Sequence, residues 1–162
     1  MKTIIKRVLY LQMTALLTTA ALATPNAAES PLPFRGTIVG SADNVQTFEF
    51  PFLFASSIVT GNATHLGRFT SSWEVQVNVI TSASTGTVVF TAANGDTLFT
   101  TFEGQGYPTG TPDVILILEV HTITGGTGRF AGATGSYIRH SLLNQALNTQ
   151  TDNWFDGTIA IH

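Results

Sequence analysis

Glu119 and His121 are the two residues of this sequence best suited to transfer a proton. Residues two apart lie on the same face of a β-strand, so a strand here would place the carboxylate beside the imidazole. Such a pair can act as general acid and general base, and Glu103 is a third candidate for this role. The alternative is a polar pair at the solvated end of a half-buried strand.

Other catalytic chemistries lack the residues that they need. The chain has no cysteine, which excludes thiol nucleophiles and cysteine-ligated metal sites. The Gly-x-Ser-x-Gly turn that presents many serine nucleophiles does not occur. The four histidines are scattered without the spacing of metal ligands, so we expect no metal and no cofactor. Arg139 and His140 alternate in direction, and we expect both at the surface.

Four phenylalanines recur at every second position between Gln46 and Ser56, namely Phe48, Phe50, Phe52 and Phe54. A single strand would turn all four rings to one face. These rings form either a barrel core or the lining of a ligand pocket, and both interpretations hold if the barrel encloses a pocket. Pro51 has no N–H to donate, which predicts an edge, a bulge or a bend there.

A glycine-rich segment lies between Thr122 and Tyr137, and its glycines are Gly125, Gly126, Gly128, Gly132 and Gly135. Glycine adopts positive φ and lets backbones approach closely, so the segment predicts a sharp structural corner between two strands. We expect Arg129 in this corner to bond loop carbonyls or a carboxylate, and Phe130 to supply an apolar plug. A phosphate cradle would need a following helix, but the residues after the segment have no helical period, and no Lys-Ser/Thr pair occurs there.

Alternating apolar and polar residues predict strands along most of the chain after residue 33. About eight strands with tight turns and no ordinary helix indicate an all-β fold, an eight-stranded antiparallel closed barrel. Asn94-Gly95 predicts a two-residue type I′ hairpin. Residues 155–159 echo residues 34–38, as expected if the first and last strands pair to close the barrel. Such a barrel is either filled or holds one small ligand.

The N-terminus has the features of a secretory signal peptide. A charged start and an apolar run from Val8 to Ala23 precede small residues, which predicts a signal peptide over residues 1–28. A flexible leader over 29–33 and one domain over 34–162 would follow, in a secreted or periplasmic protein. Its four arginines and ten carboxylates give a formal charge of −6. We therefore expect no nucleic acid and, after signal removal, no membrane as partner.

Four segments together resemble the allene oxide cyclase and dirigent barrels, and more closely the secreted bacterial members of that superfamily. They are residues 63–69, residues 92–96, the glycine corner and the terminal Gly157-Thr158-Ile159. The resemblance implies a calycin-type barrel that often forms trimers. The acidic strand motif of the cyclases does not occur in residues 34–44, and the dirigent pocket residues align with no position here. The family chemistry is therefore not carried over.

Three functions follow as expectations. The first is a secreted barrel that binds a small apolar ligand in its phenylalanine-lined interior. The second is a cofactor-free cyclase or isomerase that uses Glu119, His121 and Glu103 on an apolar epoxide or polyene. The third is a structural subunit with a filled core. The strand that begins near Asp113 is apolar on both faces, which indicates a homo-oligomer, either a dimer or a trimer.

We predict export with cleavage at or before Ala28, because the charged start, apolar run and small-residue exit are those of a signal peptide. Intact-mass analysis of secreted protein should give a chain that lacks the first residues of the sequence. A full-length product retained in the cytosol would contradict the prediction.

Overall fold

The structure of the protein, a computed structural model, describes residues 30–162. The predicted signal peptide and the first residue of the predicted leader lie outside the described residues. Leu32 and Pro33, the last two residues of that leader, already belong to the first strand. Within residues 30–162, no helix is long and apolar enough to cross a membrane.

Eight antiparallel strands make up nearly all of the described chain. Their bounds are β1 (Leu32–Glu49), β2 (Phe52–Ala63), β3 (Gly67–Asn78), β4 (Ala83–Ala92), β5 (Thr97–Pro108), β6 (Val114–Gly126), β7 (Thr134–Asn144) and β8 (Thr149–Ala160). A 3₁₀ turn, Gly128–Phe130, lies between β6 and β7. Each strand pairs with the next, and β8 pairs with β1, which confirms the predicted eight-stranded antiparallel closed barrel.

The first and last strands meet at a seam built from the two similar segments, as the sequence predicted. Gly36 lies opposite Phe155, and Arg35 lies opposite Asp156. On the outer face, Arg35 Nε donates to Asp156 Oδ1 at 2.9 Å. Such an exposed ion pair stabilises a protein only slightly. The seam therefore depends on its ladder of backbone hydrogen bonds and on the packing of its inward-facing rings.

Large aromatic rings fit inside this narrow barrel because they lie against glycines of neighbouring strands. A Cβ on Gly36 would overlap the ring of Phe155, and one on Gly61 would overlap the ring of Phe69. Phe102 covers Gly86 in the same way. Each glycine thus leaves the volume that a ring then fills, which gives the interior its close packing.

The two ends of the barrel differ in how well they are filled. At the end with the loops 64–66, 93–96 and 127–133, the inward side chains are buried, and we call it the closed end; examples are Phe34, Leu66, Leu98, Phe130 and Ile159. At the opposite end, inward side chains such as Leu53, Val77 and Ile117 are only half-buried, and we call it the open end. The barrel is therefore filled at one end and accessible at the other.

The prediction that one strand carries the four phenylalanines on a single inner face is wrong. The chain reverses at Phe50-Pro51, so that Phe48 lies on β1 while Phe52 and Phe54 lie on β2. Phe48 and Phe50 are 60% and 72% exposed at the open end. The phenylalanines keep their period-two spacing through the turn, and the turn contains no glycine. Pro51 was therefore the only residue whose type indicated a bend.

The glycine-rich connection between β6 and β7 is sharp, as predicted, but shorter than the sequence indicated. Its glycines do not all lie in the connection, because Gly125 and Gly126 end β6 while Gly135 is the second residue of β7. Only Gly128 and Gly132 lie between the two strands. The ladder explains the difference, since Gly125 still pairs with Phe99 of β5 and Gly135 pairs with Ile159 of β8.

Positive φ is the common requirement at most of these glycines. It occurs at four of them, namely Gly125 (137°), Gly128 (55°), Gly132 (72°) and Gly135 (142°). Gly126 is the exception, and its missing side chain instead allows a close approach of the Thr97 carbonyl and of Phe130. The corner therefore needs glycine for two different reasons, as the sequence predicted for the segment as a whole.

The side chains of the connection between β6 and β7 act as expected. Phe130 is fully buried and plugs the closed end. Arg129 Nη2 donates to the Leu66 carbonyl at 3.4 Å, and its Nε lies 3.8 Å from Asp96 Oδ2. Arg129 thus bonds a loop carbonyl and pairs with a carboxylate, which ties this connection to the loops 64–66 and 93–96.

The turn at Asn94-Gly95 differs from the predicted type I′ hairpin. Only Gly95 has positive φ, at 88°, whereas type I′ requires it at both central residues. The Gly95 N–H donates to the Ala92 carbonyl, and the Ala92 N–H donates to the Asp96 carbonyl. This is a three-residue loop, and it places Asp96 where its carboxylate accepts from Asn94 Nδ2 and from the Arg129 N–H.

We predict that Gly128→Val destabilises the barrel by about 2–4 kcal/mol, because it combines a strained φ with overpacking. Gly128 has φ of 55°, and a Cβ there would overlap the Asp96 carboxylate. Gly67→Val is the matched control, since φ is 66° but nothing lies within 4 Å of its Cβ position. Thermal and urea unfolding should show the larger loss for Gly128→Val, and equal losses would contradict the packing argument.

Candidate functional site

A cluster of ionisable side chains lies inside the barrel, on two adjacent strands. Glu119 and His121 point inward from β6, and Arg139 and Tyr137 point inward from β7. The ladder places Glu119 opposite Arg139 and His121 opposite Tyr137. Residues two apart on a strand share a face, and the two strands are neighbours. The four functional groups therefore lie together in the barrel interior.

Glu119 accepts two hydrogen bonds on the same oxygen. Arg139 Nη1 lies 2.6 Å from Glu119 Oε2, and His121 Nε2 lies 3.2 Å from that atom. All three side chains are buried. A buried ion pair persists only where further hydrogen bonds satisfy its remaining groups, so the environment of Arg139 is decisive.

The guanidinium of Arg139 is held on every side. Its Nε donates to Asn153 Oδ1 at 2.8 Å, and its Nη2 donates to Gln150 Oε1. Its Cζ lies 4.7 Å from the ring centroid of Trp73, which is a cation–π contact. With the Glu119 bond, each nitrogen has an acceptor, and the position of the charge is fixed.

Two of the sequence predictions for these residues are wrong. Glu119 and His121 are not at a solvated strand end but in the core, and Arg139 is not at the surface. Local pattern specifies neither the register nor the neighbour of a strand, so the cross-strand partner that allows Glu119 to be buried was not visible. The alternation of Tyr137, Arg139 and Ser141 on one face was the signal that could have revealed the partner.

Glu103 does not join the cluster. It is exposed on the outer face of β5, opposite Val120, and lines a surface groove of about 610 Å³ with Thr122. Three other outer grooves, of about 420 to 640 Å³, likewise do not include Glu119, His121 or Arg139. The candidate site is thus the barrel interior and not its outer surface.

Glu119 is ionised at neutral pH although it is buried. Burial alone would raise the pKa of its carboxyl group, but the charge of Arg139 and the hydrogen bond from His121 outweigh burial and hold the pKa below its ordinary value of 4.5. Burial lowers the pKa of His121 below 6.5, and the hydrogen bond to Glu119 opposes this shift only in part. The imidazole is therefore neutral, and the cluster carries no net charge.

The tautomer of His121 follows from its partners. A neutral imidazole that donates from Nε2 to Glu119 must accept at Nδ1. Thr100 Oγ1 lies 3.4 Å from His121 Nδ1 and 3.2 Å from Tyr137 Oη. Thr100 Oγ1 therefore donates to His121 Nδ1 and accepts from the Tyr137 hydroxyl, which stays protonated because burial raises its pKa well above the ordinary value. A directed chain of hydrogen bonds therefore runs from Tyr137 to Glu119.

Stacked rings fix the orientation of His121. The imidazole centroid lies 4.4 Å from that of Tyr137 and 4.8 Å from that of Phe102, and the rings stack at interplanar angles of 13° and 30°. The Trp73 ring approaches edge-on at 5.5 Å. The imidazole consequently cannot rotate away from Glu119 without displacing the core.

The second oxygen of Glu119 remains available. Among the described side chains, none donates to Glu119 Oε1, and Ser84 Oγ takes part in no hydrogen bond. Every fully buried oxygen or nitrogen of these side chains has a partner, so these two atoms keep a small exposure, with Ser84 8% and the Glu119 side chain 6% exposed. Both side chains adjoin Gly104, whose missing Cβ would stand 2.5 Å from Ser84 Oγ and 2.6 Å from Glu119 Cγ.

The available atoms lie below the open end of the barrel. Ser84, Gly104 and Glu119 are aligned across β4, β5 and β6, with the half-buried Val77 of β3 opposite Ser84. On β6, Glu119 lies one inward-facing position deeper than the half-buried Ile117. A molecule that enters the open end would therefore meet apolar side chains first and the carboxylate last. Among the described residues, no group of three acidic or histidine side chains is arranged to hold a metal ion.

Comparisons of this chain with protein-family models, with curated proteins and with solved structures find no match. The similarity to the allene oxide cyclase and dirigent superfamily therefore stays a prediction from the four sequence segments.

We predict that acid destabilises the barrel from about pH 6.5 downward. Because the folded state lowers the pKa of His121, the unfolded chain binds a proton first, and stability present above pH 6.5 is lost as the pH falls. One proton corresponds to at most about 1.4 kcal/mol per pH unit. Glu119, whose pKa is also lowered, adds a second loss below about 4.5.

Thermal unfolding between pH 7.5 and pH 4 measures this dependence. His121→Gln should reduce the change of unfolding temperature with pH between pH 6.5 and pH 5, since the variant has no imidazole at this position to protonate. His140→Gln is the control, because His140 faces outward and stacks on Trp154. If the unfolding temperature of His121→Gln depends on pH as steeply as that of the wild type, the buried neutral imidazole does not cause the acid destabilisation.

Proposed function

We propose that this protein binds a small, largely apolar molecule that carries a hydroxyl group, in the open end of the barrel. The observation that carries the proposal is the Glu119 carboxylate, with Oε2 held by Arg139 and His121 and with Oε1 left without a hydrogen bond from the described side chains. An ionised carboxylate oxygen is a strong acceptor for a ligand hydroxyl.

The charges of the cluster favour a neutral ligand. Arg139 and Glu119 compensate each other, and His121 is neutral. An anionic ligand would find the guanidinium already surrounded by acceptors, and a cationic ligand would compete with Arg139 for a carboxylate that is already paired. A hydroxyl group can donate to Glu119 Oε1 and accept from Ser84 Oγ without changing the net charge of the interior.

The apolar part of the ligand has a place above these groups. Leu53, Val77 and Ile117 point inward at the open end and are only half-buried. Covering such side chains stabilises a complex by about 25 cal/mol for each Å² of apolar surface removed from water. Polar groups at the bottom and apolar groups above them therefore favour a molecule with one polar end.

Catalysis as an isomerase or cyclase is the second candidate, and the same accessible oxygen supports it. Glu119 Oε1 could take a proton from a bound substrate, with His121 and Arg139 stabilising the charge. The lowered pKa of Glu119 makes this carboxylate a weak base near neutral pH, which favours binding over proton transfer. An isomerised product from an apolar epoxide, lost in Glu119→Gln, would instead establish catalysis.

We predict that the protein binds 2-naphthol more tightly than 2-methoxynaphthalene, which has the same ring but no hydroxyl donor. Glu119→Gln should weaken naphthol binding by about tenfold or more, the usual contribution of a hydrogen bond to a charged group. The methoxy compound should be affected much less. Fluorescence titration measures both affinities.

Ser84→Ala tests the site without breaking the ion pair, and it should also weaken naphthol binding selectively. Glu74→Gln, an exposed carboxylate on the outer face of β3, is the control and should change neither affinity. Unfolding curves of each variant establish that the barrel is intact. Equal affinities for naphthol in wild type, Glu119→Gln and Ser84→Ala would contradict the proposal, as would the lack of saturable binding.

A further inference from the structure

The loops at the open end expose large hydrophobic side chains. Phe50, Leu147 and Ile80 have the highest exposures of the large hydrophobic residues in the described chain, at 72%, 70% and 66%. They belong to three different connections, β1–β2, β7–β8 and β3–β4. Together with three further exposed residues they form a surface that we call the open rim, which consists of Phe48, Phe50, Val79, Ile80, Tyr107 and Leu147.

Exposure of this kind is not general to the loops of this barrel. At the closed end, the large hydrophobic residues of the connections are Leu66 and Phe130, and both are buried. The remaining positions there are polar or small, as in Asn94, Asp96 and Arg129. Large apolar side chains are thus exposed on several loops of one end and on none of the loops of the other, and from this asymmetry we infer that the open rim faces a partner.

The charges near the open rim restrict the kind of partner. Glu49, Asp113 and Asp152 are exposed at this end. The three arginines outside the core, Arg35, Arg68 and Arg129, lie toward the closed end, and residues 30–162 contain no lysine. Two rims facing each other would bring like charges together, and an anionic surface would be repelled. An apolar surface without net charge avoids both costs.

We propose that the open rim docks on the surface of an electrically neutral lipid layer, with its separate apolar tips at the boundary between headgroups and acyl chains. Aromatic and aliphatic side chains on several loops suit this boundary, where Phe, Ile and Leu are buried and Tyr keeps its hydroxyl in water. The negative charge of the protein disfavours contact with anionic lipid but does not oppose contact with a neutral layer. The inference does not depend on the interior ligand site.

Flotation with phosphatidylcholine vesicles tests the proposal on the secreted protein, after cleavage of the predicted signal peptide. Wild-type protein should float with the vesicles, and the rim variant Phe50→Ser/Ile80→Ser/Leu147→Ser should need at least about tenfold more lipid for half-maximal binding. Replacing these residues should leave the fold intact because all three are exposed. The rest of the sequence is the same in both proteins, so the difference reports on the rim alone.

The matched control is Val39→Ser/Val120→Ser/Ile138→Ser, which removes three exposed hydrophobic residues from the outer faces of the strands. It should bind lipid within about twofold of wild type if binding is confined to the rim. Phosphatidylglycerol vesicles should bind more weakly than phosphatidylcholine at low salt, because the acidic residues near the rim repel them.

Three outcomes would overturn the inference. One is no binding of wild type to phosphatidylcholine, and another is an equal loss in the rim and control variants. The third is a concentration-dependent dimer, seen by sedimentation, that the rim variant abolishes while no lipid binds, since the occupant would then be a second copy. Naphthol binding is measured separately, so failure of this inference and failure of the interior site give different results.

Discussion

The buried ion pair between Arg139 and Glu119 is the constraint to which the middle of the barrel conforms. Either charge alone in that position would be strongly destabilising, since removal of one partner leaves an uncompensated charge in the core. The guanidinium is surrounded by Trp73, Asn153 and Gln150. His121 donates the second hydrogen bond to Oε2 of the carboxylate. Buried polar atoms normally have hydrogen-bond partners, but this network leaves one carboxylate oxygen without one among the described side chains. That oxygen is the feature that distinguishes a candidate binding site from a purely structural core.

Packing of rings against glycines explains how the barrel can be filled at one end and accessible at the other. Eight strands enclose a narrow interior, and three of its aromatic rings lie against a facing residue that has no side chain. Phe155, Phe69 and Phe102 each use such a glycine. The closed end is filled by buried side chains, whereas the loops and half-buried side chains of the open end can contact other molecules.

Features that depend on local pattern could be predicted from the sequence, whereas those that depend on which strands become neighbours could not. The eight strands, the glycine corner and the pairing of first and last strands follow from alternation, glycine spacing and the repeated segment at the two ends of the domain. The burial of Arg139 could not follow, because it needs the register of β6 against β7. The prediction that one strand carries all four phenylalanines failed for a related reason. The rings keep their period-two spacing although the chain reverses at Phe50-Pro51 and divides them between two strands. Glu119 and His121 were identified correctly as neighbours, but their environment was not.

The interior site and the open rim share one end of the molecule, and this gives the two proposals a common geometry. A ligand with an apolar body dissolves poorly in water and accumulates in lipid, so a binding site is most accessible to it when its entrance faces that phase. If Phe50, Ile80 and Leu147 rest on a lipid layer, the entrance lies against the layer and the path to Glu119 crosses little water. The hydroxyl end of such a ligand would leave the interfacial region for a carboxylate that is already ionised and held in place. The exposed side chains of the rim would then determine where the ligand comes from, and the buried ion pair would determine which end of it enters first.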